Sequence, residues 1–129
     1  KKSNLKINIA KGLVEGVIIN LIDNSIYWLE VAKSEYKSIE DKKIFINIVE
    51  TEKNVHIIVA DNGTGFLLNT EELTQPFVTA KKSGMGLGLH IANEIMLSDK
   101  GKIDFPDFND YEIPNEFKGG AIVSLIFPK

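Results

Sequence analysis

Residues 55–65 read VHIIVADNGTG, Val55 to Gly65. A run rich in Val and Ile meets Asp-Asn-Gly-Thr-Gly with nothing between, so strand-forming chain gives way to turn-forming chain at Asp61. Just upstream, Ile44-Phe45-Ile46-Asn47-Ile48-Val49 has the same character. The turn residues Glu52-Lys53-Asn54 lie between the two runs, and together they predict a β-hairpin. The DNGTG stretch has two readings. In one it is a turn and nothing more, with the aspartate accepting local backbone hydrogen bonds. In the other, Asp61 ends a buried strand and its carboxylate accepts from the amino group of a base, while Gly63 and Gly65 leave room for a flat ring.

Toward the N-terminus, Gly12 to Val31 carries apolar residues at helical spacing: Leu13, Val17, Leu21 and Trp28, with Val14, Ile18, Ile22 and Leu29 beside them. Gly12, Gly16, Asn20 and Asn24 recur at four-residue intervals and so share one row of that helix. Such a row is either a solvated polar face or a place that something approaches closely, and an amide oxygen is a suitable hard ligand for Mg²⁺. Before the helix, Leu5, Ile7 and Ile9 alternate with polar residues as in a short strand. After it, residues 32–43 are charged with no clear apolar face, which reads as a solvated helical end or a loop.

Toward the C-terminus, residues 66–84 are rich in loop signals, with Thr79, Lys81 and Lys82 ahead of GMGLGLH, Gly84 to His90. Alternate glycines emptying into a helix start bring bare backbone N–H groups and the positive end of a helix dipole to one spot, an arrangement suited to phosphate. A flexible surface loop is the other reading. The helix is predicted from about Met85 to Ser98, ended by Gly101, with a short strand at Ile103 to Phe105. Residues 106–120, PDFNDYEIPNEFKGG, are polar and spotted with aromatics, and Asp107 to Glu116 is expected to be a tolerated surface insertion. Ala121 to Phe127 is almost continuously apolar, which predicts a strand buried on both faces. This order of elements is α+β, helices on a largely antiparallel sheet.

The 129 residues suit one domain, 1–129, and a chain that begins at Lys1 reads as excised from a longer protein. A net charge of −3 with scattered lysines offers no basic face, so nucleic acid is not an expected partner. There is no cysteine, hence neither disulfide framework nor thiolate metal site. Apolar runs fall short of a membrane span, so direct membrane contact is not expected, and the chain is expected to be cytoplasmic.

Taken in order, NLIDNS, DNGTG, PFVTAKK and GMGLGL resemble the asparagine box, first glycine box, phenylalanine box and second glycine box of the GHKL ATPases. That superfamily comprises gyrase, the heat-shock chaperone, histidine kinases and MutL. The closest likeness is the ATP-binding catalytic domain of sensor histidine kinases. The resemblance implies a Bergerat-type α/β sandwich, helices packed on one face of a mixed, mostly antiparallel sheet. It implies ATP and Mg²⁺ as cofactors, with Asn24 as metal ligand and Asn20 near the phosphates. It also implies that Asp61 takes the adenine amino group in a pocket shaped by Gly63 and Gly65. Gly84, Gly86 and Gly88 would hold the triphosphate by backbone N–H groups, packed through Leu87 and Leu89, with Lys81 as a further phosphate contact.

Gyrase-like members place a glutamate four residues before the metal asparagine, where this chain has Asn20, as in histidine kinases. An amide cannot act as a general base. The implied function is therefore to present the γ-phosphoryl to a histidine on a helical phosphoacceptor domain outside this chain. A response regulator would lie downstream, and dimerisation would run through the missing domains. A gyrase- or MutL-type switch ATPase, with Asp23 or Glu15 as base, and a non-catalytic nucleotide-binding module are the alternatives. His56 and His90 are expected to be structural, and Tyr27 and Trp28 to pack at the end of the first helix. Phe66 and Phe77 are expected to wall the pocket or the core.

Overall fold

A computed structural model describes residues 11–31, 41–63, 65, 88–98 and 100–129. Within them, helix α1 (Lys11–Val31) and helix α2 (Gly88–Ser98) cover one face of a sheet built from β1 (Ile44–Glu50), β2 (Asn54–Asp61), β3 (Lys102–Asp104) and β4 (Ile122–Pro128). The strand order is β1-β2-β4-β3. Every pairing among the described residues is antiparallel. The hairpin forms as its sequence predicts, with Ile44 opposite Asp61 and Glu50 opposite Val55. Thr51 closes its turn through its own N–H and hydroxyl, both donating to the carbonyl of Asn54, at 2.9 and 3.1 Å.

The period-2 alternation of β2 and β4 sorts their side chains onto two faces. Val59, Val123, Leu125 and Phe127 face the helices, where they pack with Val14, Val17 and Leu21 of α1 and Ala92 and Met96 of α2. Because α1 buries residues three and four apart, its apolar stripe lies along the sheet while Glu15, Ile19 and Asp23 remain exposed. α2 ends in a left-handed residue, Lys100, with φ of 63°, after which the Gly101 N–H reaches back to the Met96 carbonyl at 2.8 Å.

The other face is where expectation and structure part. Asp107 to Glu116, expected to be a surface insertion, carries Ile113 into a second core, joined by Phe117 just beyond it. Ile113 and Phe117 are buried against Ile58, Ala60 and Ile122, with Phe45, Val49, Phe108 and Tyr111 packed around them. The segment is held by two short 3₁₀ turns, Phe108–Asp110 and Asn115–Phe117. Phe117 meets Phe45 with ring centroids 5.6 Å apart. β4 is consequently buried from Ile122 to Phe127, as its unbroken apolar run predicts, with helices on one side and an irregular hydrophobic layer on the other.

The opening strand at Leu5 to Ile9 and the loop at 66–84, with Phe66 and Phe77, lie outside the described residues. So does the predicted first turn of the second helix, Met85 to Leu87.

Candidate functional site

A cleft opens on the helix-covered face, between α1 and the ends of β2 and β4. Its lining comprises Leu21, Asn24, Ser25 and Trp28 of α1, Val59 and Asp61 of β2, Leu89 of α2, and Ala121 and Val123 at the start of β4. The cavity itself measures about 30 Å³ and opens to solvent. Apolar walls meet one carboxylate and one amide.

The carboxylate belongs to Asp61, only 3% exposed. Its place follows from the β2 register: the strand is buried through Val59 and Ala60, and Asp61 follows them as the strand's last residue. Its Oδ1 accepts the N–H of Gly63 at 3.0 Å and the N–H of Ala121 at 3.2 Å, and the carboxylate also accepts a hydrogen bond from the hydroxyl of Ser25. Burial pushes the Asp61 carboxyl above the usual range, while these three donors pull it back by favouring the charged form.

The backbone around Asp61 is equally close. Its N–H donates to the Ala121 carbonyl at 3.0 Å, and β4 passes so near that a Cβ on Gly120 would lie 1.8 Å from the Asp61 carbonyl oxygen. Gly65 adopts φ of 86°, and a Cβ there would stand 2.9 Å from the Gly119 carbonyl. These two glycines are required by the chain's own crossing at the cleft.

Asn24 lines the cleft, while Asn20, one turn earlier and half-buried, is not among the lining side chains. Gly16 is exposed, and a Cβ added there would meet open space. Gly63 supplies an N–H to Asp61, and Leu89 lines the cleft. Gly88 is the first residue of α2 rather than part of a loop. Lys81, Gly84, Gly86 and Leu87 lie outside the described residues.

Two lining residues escaped the sequence reading. Trp28, expected to pack at the helix end, stands edge-on to Tyr27 and forms part of the cleft wall. Its position one turn beyond Asn24 was the available signal. Ser25 had no such signal, because its partner is on another element.

Asp61 and Asn24 thus meet at one cleft, and comparisons with known proteins bear on its kind. Residues 10–129 match the family described as "Histidine kinase-, DNA gyrase B-, and HSP90-like ATPase". The chain belongs to this ATPase family. Relatives of the ATPase domain include the C4-dicarboxylate transport sensor protein DctB of Rhizobium meliloti, 38% identical over 70% of this chain and 14% of that protein. Another is a putative sensor histidine kinase NtrY-like protein of Rickettsia bellii, 31% identical over 88% of this chain and 16% of that protein. This chain therefore spans less than a fifth of the length of these relatives. Among solved structures, the catalytic domain of histidine kinase ThkA superposes with a TM-score of 0.72 at 23% identity, covering 100% of this chain and 76% of that one. The fold is accordingly that of histidine kinase catalytic domains, an α/β sandwich. No helix among the described residues of the ATPase domain is long and apolar enough to cross a membrane.

Proposed function

We propose that this ATPase domain binds Mg-ATP with its adenine in the cleft beside Asp61 and presents the γ-phosphoryl to a histidine on another domain of its parent protein. The observation that carries the reading is the buried Asp61 carboxylate, which faces apolar walls and, among the described residues, accepts only from neutral donors. An ionised carboxylate is purely an acceptor, so it suits a base that offers an exocyclic amino group. Trp28 supplies a flat apolar surface in the same cleft.

Asn24, an amide at the cleft, fits a hard divalent cation by its oxygen, and in this reading Asn20, one turn back, contacts the phosphates. Mg²⁺ bound there would neutralise charge developing on the transferred phosphoryl. The lid residues Lys81, Gly84, Gly86, Leu87 and Gly88, with Leu89, hold the phosphates in this reading, and Gly63 and Gly65 shape the base pocket. With an amide at position 20, the chain carries out positioning rather than proton abstraction from water. The acceptor is a helical phosphoacceptor domain outside this chain, with a response regulator downstream, in the cytoplasm. Dimerisation belongs to the flanking domains, and neither nucleic acid nor membrane is a partner of this face.

The test supplies γ-labelled ATP and Mg²⁺ to the full-length parent protein. Acid-labile, base-stable label on the protein is expected. Release of all label as free phosphate would replace this reading with a switch ATPase. In the 129-residue chain, whose single tryptophan is Trp28, nucleotide should change the intrinsic fluorescence. Asp61→Ala should weaken ATP binding about a hundredfold, the loss of a hydrogen bond to a charged group.

A further inference from the structure

A buried hydroxyl must place its single proton, and that requirement gives a chain of hydroxyls a direction. On the face of the sheet away from the helices, Ser124 of β4 is 0% exposed, and its Oγ lies 3.1 Å from the hydroxyl of Tyr111. Tyr111 in turn lies 2.7 Å from Nδ1 of the part-buried His56 on β2, and the two rings meet edge to face with centroids 5.6 Å apart. Among the described residues no other hydrogen bond reaches the Ser124 hydroxyl. Asp104, its cross-strand neighbour on β3, is exposed and makes none to it.

The Ser124 proton therefore has one acceptor, the Tyr111 oxygen. That leaves the Tyr111 proton for His56, whose Nδ1 is a bare acceptor and whose own proton sits on Nε2. The reverse order, from Nδ1–H through Tyr111 to Ser124, would end on a hydroxyl proton with nothing to meet in a wholly buried place. The buried end of the chain thus selects the neutral imidazole, in one of its two tautomers.

A charged imidazole carries N–H on both nitrogens. Nδ1 then faces the Tyr111 hydroxyl as a donor, Tyr111 turns its proton toward Ser124, and the Ser124 proton is stranded. Among the described residues no ion pair to His56 offsets this. Val49 of β1 and Ile126 of β4 flank it in the sheet, and Lys102 of β3 continues the same row. The carboxylates nearby in the fold, Asp104 of β3 and Asp107, Asp110 and Glu112 of the irregular segment, are exposed.

We propose that the chain from His56 through Tyr111 to Ser124 is an acid-sensitive fastener for the irregular segment 106–120. With His56 neutral, Tyr111 ties the segment to β2 and β4 at once. A proton gained by the imidazole reverses the chain and loosens the segment around Tyr111, while Ile113 and Phe117 keep its remainder on the strands. The charged ring is worse accommodated in the folded molecule than in the unfolded chain, so stability is lost as pH falls through the range in which histidines charge, about pH 8 to 5.

The test compares the wild-type chain with Tyr111→Phe and with His56→Asn, whose amide oxygen can stand where Nδ1 stands but never charges. From mildly alkaline conditions down to about pH 5, the folded-to-unfolded ratio of wild type, read by denaturant titration, is expected to fall about tenfold further than that of either variant. Titration of the carboxylates and of His90 is common to all three proteins and cancels in the comparison. Imidazole nitrogen NMR of wild type at alkaline pH is expected to find the His56 proton on Nε2. A proton on Nδ1 would overturn the direction of the chain and with it the fastener. A ratio that falls in parallel in all three proteins would overturn it too. So would a wild type that gains on the variants in acid, because the nearby carboxylates would then be holding the charged ring.

Discussion

The central strand β4 is buried on both its faces, but by different means. On the helix side, regular elements pack Val17, Leu21, Met96 and Phe127 into a core, yet leave a cleft with a carboxylate at its inner end. On the opposite side, a fifteen-residue irregular segment, 106–120, lays Ile113 and Phe117 on the strands and ties its Tyr111 to strand residues. There Tyr111 is the link: its hydroxyl lies 2.7 Å from His56 Nδ1 and 3.1 Å from the hydroxyl of Ser124, which is 0% exposed. One face holds a buried polar group with acceptor capacity turned to a cavity. The other closes its polar groups into a chain and serves as a back plate. Polarity alone therefore does not distinguish a site from a scaffold; what matters is whether the polar group has bonding capacity left over where a ligand can reach it.

Four changes would sharpen or break that contrast. The largest effect is expected from Phe117→Ala on the back plate. Truncating a buried aromatic costs about 3–5 kcal/mol, read as a fall in the denaturant midpoint. Nucleotide affinity of the still-folded fraction should be unchanged, and a selective loss of ATP binding would mean that the back plate is part of the site. Tyr111→Phe removes the shared hydroxyl and leaves the buried Ser124 short of a partner. It is expected to cost about 1–3 kcal/mol, again with unaltered affinity.

On the cleft side the sign reverses. The folded Asp61 carboxyl is pushed above its ordinary 3.8 by burial, so the native state holds this proton more tightly than the unfolded chain. As pH rises from 3.8 through the native value, stability falls, because ionisation is then harder in the folded protein. Asp61→Asn should accordingly raise the melting temperature of the nucleotide-free protein at neutral pH. The gain should shrink toward acid pH, where wild type is protonated in both states. A melting temperature lowered at neutral pH would show that the three hydrogen bonds outweigh burial. The smallest effect is expected at the rim of the back plate, where Lys43 bridges Glu116 at 2.9 Å with both side chains about half exposed. Glu116→Gln should leave the melting temperature within error.

Much of this was legible in the sequence because periodic burial writes itself into residue order. The stripe of α1, the hairpin and the doubly buried β4 follow from spacing alone, and Asp61 could be placed at a strand end because DNGTG follows VHIIVA directly. The back plate was misread because Phe108, Tyr111, Ile113 and Phe117 have the spacing of neither helix nor strand. Irregular chain that packs residues at uneven intervals of three, two and four resembles irregular chain that buries none. Trp28 was placed on its helix but not at the cleft, since a helical stripe gives the side a residue faces and not the gap it fills. Ser25 was invisible for a stricter reason: its partner is Asp61, on a strand whose position against α1 is a property of the tertiary structure.

The contact between Asp61 and Ala121 also bears on the order in which the molecule assembles. These residues are 60 positions apart, whereas β1 and β2 are joined by a tight turn. The hairpin is local and forms within microseconds, but β4 must close a long loop before it can lie along β2. Until that closure, Asp61 lacks both its cap from the Ala121 N–H and the cleft wall behind it. Nucleotide consequently has nothing to recognise in a partly folded chain. It is expected to slow unfolding while leaving the folding rate nearly unaltered, acting as a latch on the finished molecule rather than a template for making it.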